Sequence, residues 1–460
     1  MRGDGAPYVG QGLRRREDPV LIRGAGTFTG DLRLDAPLHL AFVRSPVARG
    51  RLVSVDRDDA AEMPGVVAIH LRDDLGQIGQ LAVNPVIPLH DLPDFPVLAG
   101  GEVCSVGQPV AAVLAETLAE AQDAAEAVFP EIEDLAIDAP REVARQSWQS
   151  GDVAAAFAKA DRVVSVRLQH PRLAPSPMEP RAIAVAYDAA TDGVTVWQSS
   201  QTPHRTRNAL SDILGVERAR IRVIAPHVGG AFGMKASLYP EEVFAVWAAL
   251  HHRRDVKWSS TRSEDFLAAT HGRGVTSSGE LALDAAGTFL ALRAEAVGPV
   301  GHWLPESGLV TSWNAARVLP SGYRVEALDV TARAQLHNTG LTGIYRGAGR
   351  PEANCLMERL IDKAAAELSV DPLDLRRRNL LRPSDLPHET GTGNLLDSGD
   401  YAAALDQMER AVDWPALIAD RDRRRGEGEL VGVGIGFYVE PSGSGWESAR
   451  VTLGTDGTAT

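Results

Sequence analysis

Ile221-Arg-Val-Ile-Ala-Pro-His-Val-Gly-Gly-Ala-Phe-Gly-Met-Lys235 is the stretch from which the rest of the chain is read. The β-branched run from Ile221 to Ala225 predicts a buried strand. Pro226 ends it, Gly229, Gly230 and Gly233 open a loop, and Pro240-Glu241-Glu242 starts a helix with proline in its first turn. A glycine loop of this kind lets backbone N–H groups approach something anionic or oxygen-rich. Alone it is also what an ordinary turn looks like, and it fails the common templates. Its glycines lack G-x-G-x-x-G spacing, and Met234-Lys235 breaks the G-K-[ST] pairing of a phosphate loop. No serine sits in a G-x-S-x-G elbow.

Composition removes several classes of function. The 460 residues suffice for two to four domains, and 44% hydrophobic with 23% charged residues is ordinary for a soluble globular protein. A net charge of −14 argues against nucleic acid as a partner, because phosphate contacts need clustered Lys and Arg. The runs Arg14–Arg16 and Arg376–Arg378 read as solvated faces or helix ends. Two cysteines, Cys104 and Cys355, cannot hold an iron–sulfur cluster, a Cys-rich zinc site or a disulfide framework. Neither a signal-peptide h-region nor a membrane-length apolar run is visible, so no membrane partner is expected and the cytoplasm is the expected compartment.

Along the chain, residues 1–20 read as an irregular arm. Strands are expected at Leu38–Phe42, Leu52–Val55, Val66–Ile69 and Val110–Leu114. The last feeds a helix opened by the capping-box pattern Thr117-Leu-Ala-Glu120. Strands mixed with one clear helix predict a small α+β domain over 21–135. The acidic stretch from Pro130 to Ala144 reads as irregular, so 136–150 is taken as a linker. Further strands are expected at Arg162–Leu168, Ala182–Tyr187, Val194–Gln198, Phe289–Val297 and Val325–Ala334, with a helix at Arg205–Leu214. Pro351 opens a long helix whose Leu356, Leu360, Ala364 and Leu368 form a core stripe. After a junction at 383–394 come a helix at Tyr401–Val412 and strands at Leu430–Glu440 and Ala449–Leu453. The turn Asp456-Gly457 predicts a return strand, and so further residues of the same fold, beyond Thr460.

Three more segments join the first loop. Ser176-Pro-Met-Glu-Pro-Arg181 is a rigid turn with charges either side of Pro180. Ser200-Gln-Thr-Pro-His204 lies between a strand and a helix. Tyr345-Arg-Gly-Ala-Gly-Arg-Pro-Glu352 is a second glycine loop ending at a helix N-terminus, which favours anions. Taken in order, these four motifs resemble the large, molybdenum-cofactor-binding subunit of the xanthine dehydrogenase / aldehyde oxidase family, which includes the carbon monoxide dehydrogenase-like large subunits. The resemblance runs from about Ile22 to Thr460. It implies an α/β hammerhead domain at 21–135, a first molybdenum-cofactor-binding domain at 151–385, and the opening of a second at 386–460.

The family hydroxylates carbon with water as oxygen source, and a pterin dithiolene rather than a protein side chain holds the molybdenum. No residue is therefore expected to ligate the metal directly. By resemblance, Gln201 lies near the metal's apical oxygen, Phe232 with Gly229, Gly230 and Gly233 lies against the metal's oxygen and the pterin, and Arg346 with Gly347 and Ala348 contacts the cofactor from the other loop. The family's general base is a glutamate in a Gly-Glu-Gly context near the C-terminus. Gly426-Glu427-Gly428 has the letters but sits in a charged loop, and Glu179 and Glu440 match other motifs, so the base is expected beyond Thr460 and the chain alone is expected to be inactive. A truncated or split, non-catalytic fragment needing a separate C-terminal chain is the alternative reading, and a flavin- or nucleotide-dependent enzyme is a further rival.

Two departures bear on the substrate. Ala236 follows Lys235 where purine-oxidising members carry an acidic residue. Gly347-Ala348-Gly349-Arg350 stands where carbon monoxide dehydrogenases read Cys-Ser-Phe-Arg, while Cys355 falls on a helix as an expected buried small hydrophobe. An aldehyde or an aromatic N-heterocycle is the expected substrate. The resemblance further implies a pterin in its cytosine dinucleotide form, partner subunits carrying [2Fe-2S] clusters and FAD, and a dimer of heterotrimers.

Overall fold

The computed structural model describes residues 10–81, 83, 86, 88–90, 92–440 and 448–459. Residues 1–9 of the expected N-terminal arm lie outside them, and a short helix, Asp18–Leu21, forms within its last part. Two sheets carry the α+β architecture. The larger has seven strands in the order Ile221–Ile224, Gly193–Gln198, Ala182–Asp188, Val256–Ser259, Leu38–Arg44, Pro109–Ala115 and Val66–His70. The other has five, in the order Arg141–Ser150, Ala327–Leu336, Phe289–Gly301, Thr276–Leu283 and Arg162–Gln169.

The strands form where β-branched and small apolar residues recur, and the pattern reports their position. Pro109–Ala115 is buried along its whole length, as a strand covered on both faces should be. Ala327–Leu336 alternates buried and half-buried residues, the period of a strand with one face on a core. The Leu118–Ala127 helix starts at Thr117, whose hydroxyl accepts from the Glu120 amide. Pro240–His252 is apolar nearly all round and is buried accordingly, from Pro240 to Ala249. Its Val243, Phe244, Val246 and Trp247 pack under the seven-stranded sheet, where Phe42 meets Phe244 and Trp258 edge-on, each at 5.8 Å. Each such side chain contributes roughly 1.5–3 kcal/mol by leaving water. A second core lies between the five-stranded sheet and the helices Gly308–Arg317, Arg350–Leu368 and Pro372–Asn379. Leu356, Leu360 and Ala364 are buried there, and Leu368 is partly buried at the last turn.

Four expectations change. Residues 136–150 are no linker over most of their length: Arg141–Ser150 is a strand paired antiparallel with Ala327–Leu336, and Phe129–Asp134 pairs with Gly50–Asp56. Acidic and polar residues there face solvent from sheet edges, which reads as loop in the sequence. The hammerhead and cofactor-binding regions share one sheet, because Leu38 pairs parallel with Val256. The boundary at 385/386 falls inside one core, since Tyr401, Leu405 and Trp414 belong to the same buried cluster as residues of the Arg350–Leu368 helix. Cys355 is exposed rather than buried, being one position, about 100°, off the inward stripe.

Among the described residues, 430–440 form no ladder. Val433, Ile435, Phe437 and Val439 alternate inward onto the second core, but side chains pin the backbone: the Phe437 amide donates to Glu358 at 2.9 Å and the Val439 amide to Ser321 at 3.2 Å. Ala449–Leu453 likewise shows only an isolated bridge among the described residues, Leu453 to Ala459.

Candidate functional site

Strand direction brings the motifs together. Gly193–Gln198 and Ile221–Ile224 run parallel, so Gln201 and the glycine loop leave the sheet at the same end. Ala182–Asp188 is antiparallel to Gly193–Gln198, which brings the preceding turn, with Glu179 and Arg181, to that end as well. Val256–Ser259 and Leu38–Arg44 deliver Ser260 and Arg44 there in turn. Carboxyl ends of parallel strands are where open α/β sheets expose binding crevices.

Glu179 organises the first loop. Its carboxylate accepts from the Gly229 amide at 2.7 Å, the Ser199 hydroxyl at 2.7 Å, Lys235 Nζ at 3.1 Å and, more weakly, the Thr29 amide at 3.4 Å. Lys235 also donates to the Glu179 carbonyl at 2.8 Å. Burial lowers the Lys235 pKa, and Glu179 offsets this only in part. Behind this pair lies a buried ion network. Arg181, with no exposed surface, bonds Asp265 at 2.9 Å and Glu241 at 3.2 Å and stacks 4.2 Å over Tyr239. Arg44 adds 2.8 Å to Glu241. Burial opposes the Arg181 charge, but Glu241 and Asp265 outweigh it and raise its pKa. Glu242 has no such cation in hydrogen-bond reach; burial pushes its carboxyl up to about 7 while it accepts from the Tyr239 amide at 2.9 Å.

The two glycine loops meet. The Arg346 amide donates to the Phe232 carbonyl at 2.9 Å, and the Gln201 side-chain oxygen accepts from the Gly233 amide at 3.0 Å. Gly233 sits at φ +102°, and a Cβ there would lie 2.7 Å from the Ile344 carbonyl oxygen, so close approach of the two backbones requires glycine. Phe232 and Ala348 adopt φ +55° and +38°, conformations that L side chains rarely take and that cluster at functional sites. Phe232 is 42% exposed. The amides of Gly230, Ala231, Phe232 and Gly347 donate to no group among the described residues, and the exposed Arg346 guanidinium has no partner there.

All eight residues singled out in the sequence therefore fall on two joined loops and the strand end beside them. Sequence reading did not assign the anchoring parts of Glu179 and Lys235, nor the places of Arg181, Glu242, Arg273 and Glu352. Glu179, Arg181, Lys235, Glu242 and Glu352 stood inside stretches it had singled out, whereas Arg273 stood in none. Cavities of about 630 and 470 Å³ lie elsewhere, the first beside Phe95 and His302, the second on the five-stranded sheet beside Arg293. Among the described residues no group of three or more His, Cys, Asp or Glu could hold a metal ion. No helix there is long and apolar enough to cross a membrane.

Comparison with known proteins places this arrangement. The molybdopterin cofactor-binding domain model matches residues 136–380, and the a/b hammerhead domain model of aldehyde oxidase and xanthine dehydrogenase matches residues 23–135. The chain belongs to the xanthine dehydrogenase / aldehyde oxidase family of molybdopterin-binding proteins. It is 33% identical over 457 residues to the nicotine 6-hydroxylase large subunit of Paenarthrobacter nicotinovorans, covering 95% of this chain and 56% of that one. It is 30% identical to the carbon monoxide dehydrogenase large chain of Hydrogenophaga pseudoflava, covering 94% of this chain and 58% of that one. The structure of quinoline 2-oxidoreductase from Pseudomonas putida 86 superposes with a TM-score of 0.86 at 31% identity, over 90% of this chain and 56% of that one. These relatives are oxidoreductases or their large subunits, and this chain spans somewhat over half their length.

Proposed function

We propose that the joined loops hold a molybdenum–pterin cofactor and that the chain is the cofactor-binding subunit of a molybdenum hydroxylase. One observation carries the reading: backbone N–H groups without acceptors among the described residues lie on two loops tied together through Phe232 and Arg346. That donor set suits an anionic, oxygen-rich group, and the residues present fit it. Gln201, Gly229, Gly230, Phe232 and Gly233 would hold it from one side, Arg346, Gly347 and Ala348 from the other. When bound, the cofactor supplies oxidative hydroxylation of carbon with water as the oxygen source.

The chain's own residues bind and orient. Glu179 and Lys235 set the first loop, Gln201 braces it through Gly233, and exposed Phe232 presents an apolar ring beside polar donors. No proton-transfer role is assigned to Glu179, whose Oε2 accepts from three donors, or to Glu440, which lies 3.5 Å from Arg350. The base of the reaction is placed outside these residues.

Of the two substrate classes, relatives named for nicotine and quinoline support an aromatic N-heterocycle over an aldehyde. The loop Gly347-Ala348-Gly349 lacks a cysteine, and carbon monoxide is not proposed. Iron–sulfur and FAD-binding partner subunits would carry the electrons away, in a dimer of heterotrimers; relatives named as large subunits support partners in general. The cytosine dinucleotide form of the pterin rests on the family resemblance. The cytoplasmic setting rests on the sequence reading alone. The test is metal analysis of the purified, assembled enzyme, with turnover measured on quinoline, nicotine and benzaldehyde. Molybdenum stoichiometric with the chain and oxidation of a heterocycle are expected; protein without molybdenum would refute the reading.

A further inference from the structure

The second loop is held from behind by a side chain that the reading above does not use. Arg273 lies in the two-residue strand Gly272–Arg273, at φ +61°. Its guanidinium donates to the Tyr345 carbonyl at 3.1 Å and the Arg346 carbonyl at 2.6 Å, and stacks 4.9 Å over the Tyr345 ring. The approach is close: a Cβ on Gly272 would lie 2.0 Å from Tyr345 Cβ.

Behind Arg273 is Glu352, with no exposed surface. Neither carboxylate oxygen has a hydrogen-bond partner among the described residues, and its nearest cation is Arg273 at 3.6 Å. A buried carboxylate without donors is costly, and such groups persist where a site needs them. Glu352 occupies the first turn of the Arg350–Leu368 helix, whose dipole lessens the cost. His170 and Cys355 also lie in its field, and His170 is too far away for an ion pair.

A trans peptide points its C=O and N–H in opposite directions. The peptide joining Tyr345 to Arg346 is fixed at both ends, its carbonyl by Arg273 and its amide by the Phe232 carbonyl. The peptide joining Arg346 to Gly347 is fixed by Arg273 at its carbonyl alone, which leaves the Gly347 N–H on the side away from the guanidinium, with no acceptor among the described residues. A charge on the carbonyl also polarises that amide into a stronger donor.

We propose that Arg273 is the positioning residue of the second loop, presetting the Gly347 N–H as a donor to an anionic ligand, and that Glu352 is the buried counter-charge holding Arg273 in place. This rests on the molybdenum–pterin reading of the loops. Arg273→Met, Arg273→Lys and Glu352→Gln are to be made in the assembled enzyme. Molybdenum per chain after dialysis, the Mo(V) EPR signal and the far-UV CD melt are then read for each. We expect Arg273→Met to lose molybdenum on the order of tenfold faster than wild type, as for one charge-assisted hydrogen bond. Arg273→Lys, reaching one carbonyl, should fall between them with an altered Mo(V) signal and an unchanged melt. Glu352→Gln should follow the same direction, and combining it with Arg273→Met should add little. Should Arg273→Met fail to fold, the folded Arg273→Lys decides by its EPR signal and its metal loss. Wild-type retention and an unaltered signal in folded Arg273 variants would overturn the inference while leaving the cofactor reading intact; wild-type enzyme devoid of molybdenum would overturn that reading itself.

Discussion

The backbone amide of Arg346 donates to the backbone carbonyl of Phe232 at 2.9 Å. Two loops far apart in sequence therefore share a main-chain link, and neither can shift without moving the other. Side-chain replacement cannot remove that bond, but it can force the backbones apart.

Gly233→Ala does so. The added Cβ meets the Ile344 carbonyl oxygen at 2.7 Å, backbone that cannot rotate away, at a φ that disfavours alanine. We expect a loss of roughly 1–3 kcal/mol and of most bound molybdenum. Chemical denaturation and metal analysis check this; unchanged stability with full molybdenum would contradict it.

Glu179→Gln should be the more damaging change to the first loop. It leaves the Lys235 ammonium, 2% exposed, without its counter-charge. Breaking a buried pair costs about 3–5 kcal/mol. Adding Lys235→Met should recover much of the stability but not the cofactor, because Gly229 would still lack its carboxylate acceptor. A double variant as unstable as the single one would show that the pair is not what is broken.

Glu242 predicts a stability that depends on pH. Its folded pKa of about 7 lies above the ordinary 4.5, so the fold favours the protonated form. That contribution is complete below pH 4.5 and disappears as pH rises through 7, amounting to ~3 kcal/mol. Glu242→Gln should therefore gain on wild type in melting temperature from pH 5 to pH 8. A difference constant across that range would count against the assignment.

His70 predicts the opposite limb. Burial, followed by the neighbouring His252 at 2.9 Å, lowers its pKa from 6.5 to about 4. The fold thus favours neutral imidazole; the contribution is present above pH 6.5 and is lost as pH falls towards 4. His70→Gln should flatten the acid limb of a stability profile between those values. A profile as steep as that of wild type would assign the acid limb to other groups.

Much of this was readable in advance because local chemistry and final structure agree. Pro240 and the glycines before it announce the loop-to-helix turn, and Thr117 with Glu120 announces a capped helix that forms as written. Residues 141–150 were unreadable because half the strand's residues face solvent and its partner, Ala327–Leu336, lies far along the chain. The segment from Leu430 to Glu440 misleads for the converse reason: its alternation is real, but carboxylate, hydroxyl and guanidinium groups replace a neighbouring strand. At the site, positive-φ glycines mark the loops in sequence, whereas nothing about Gly272-Arg273-Gly274 says that the guanidinium will reach Tyr345 and Arg346.

Parallel pairing of Leu38 and His39 with Val256 and Lys257 makes family-defined domains a poor guide to where this molecule can be cut. Severing the chain near residue 136 would bare a ladder edge on each piece, one along Leu38–Arg44 and one along Val256–Ser259, and would strip Arg44 from Glu241. Unpaired edges of that kind recruit other chains. Independent expression of either half should yield aggregates, and the two halves are best regarded as a single cooperative unit whose seam is a hydrogen-bonded strand rather than a hinge.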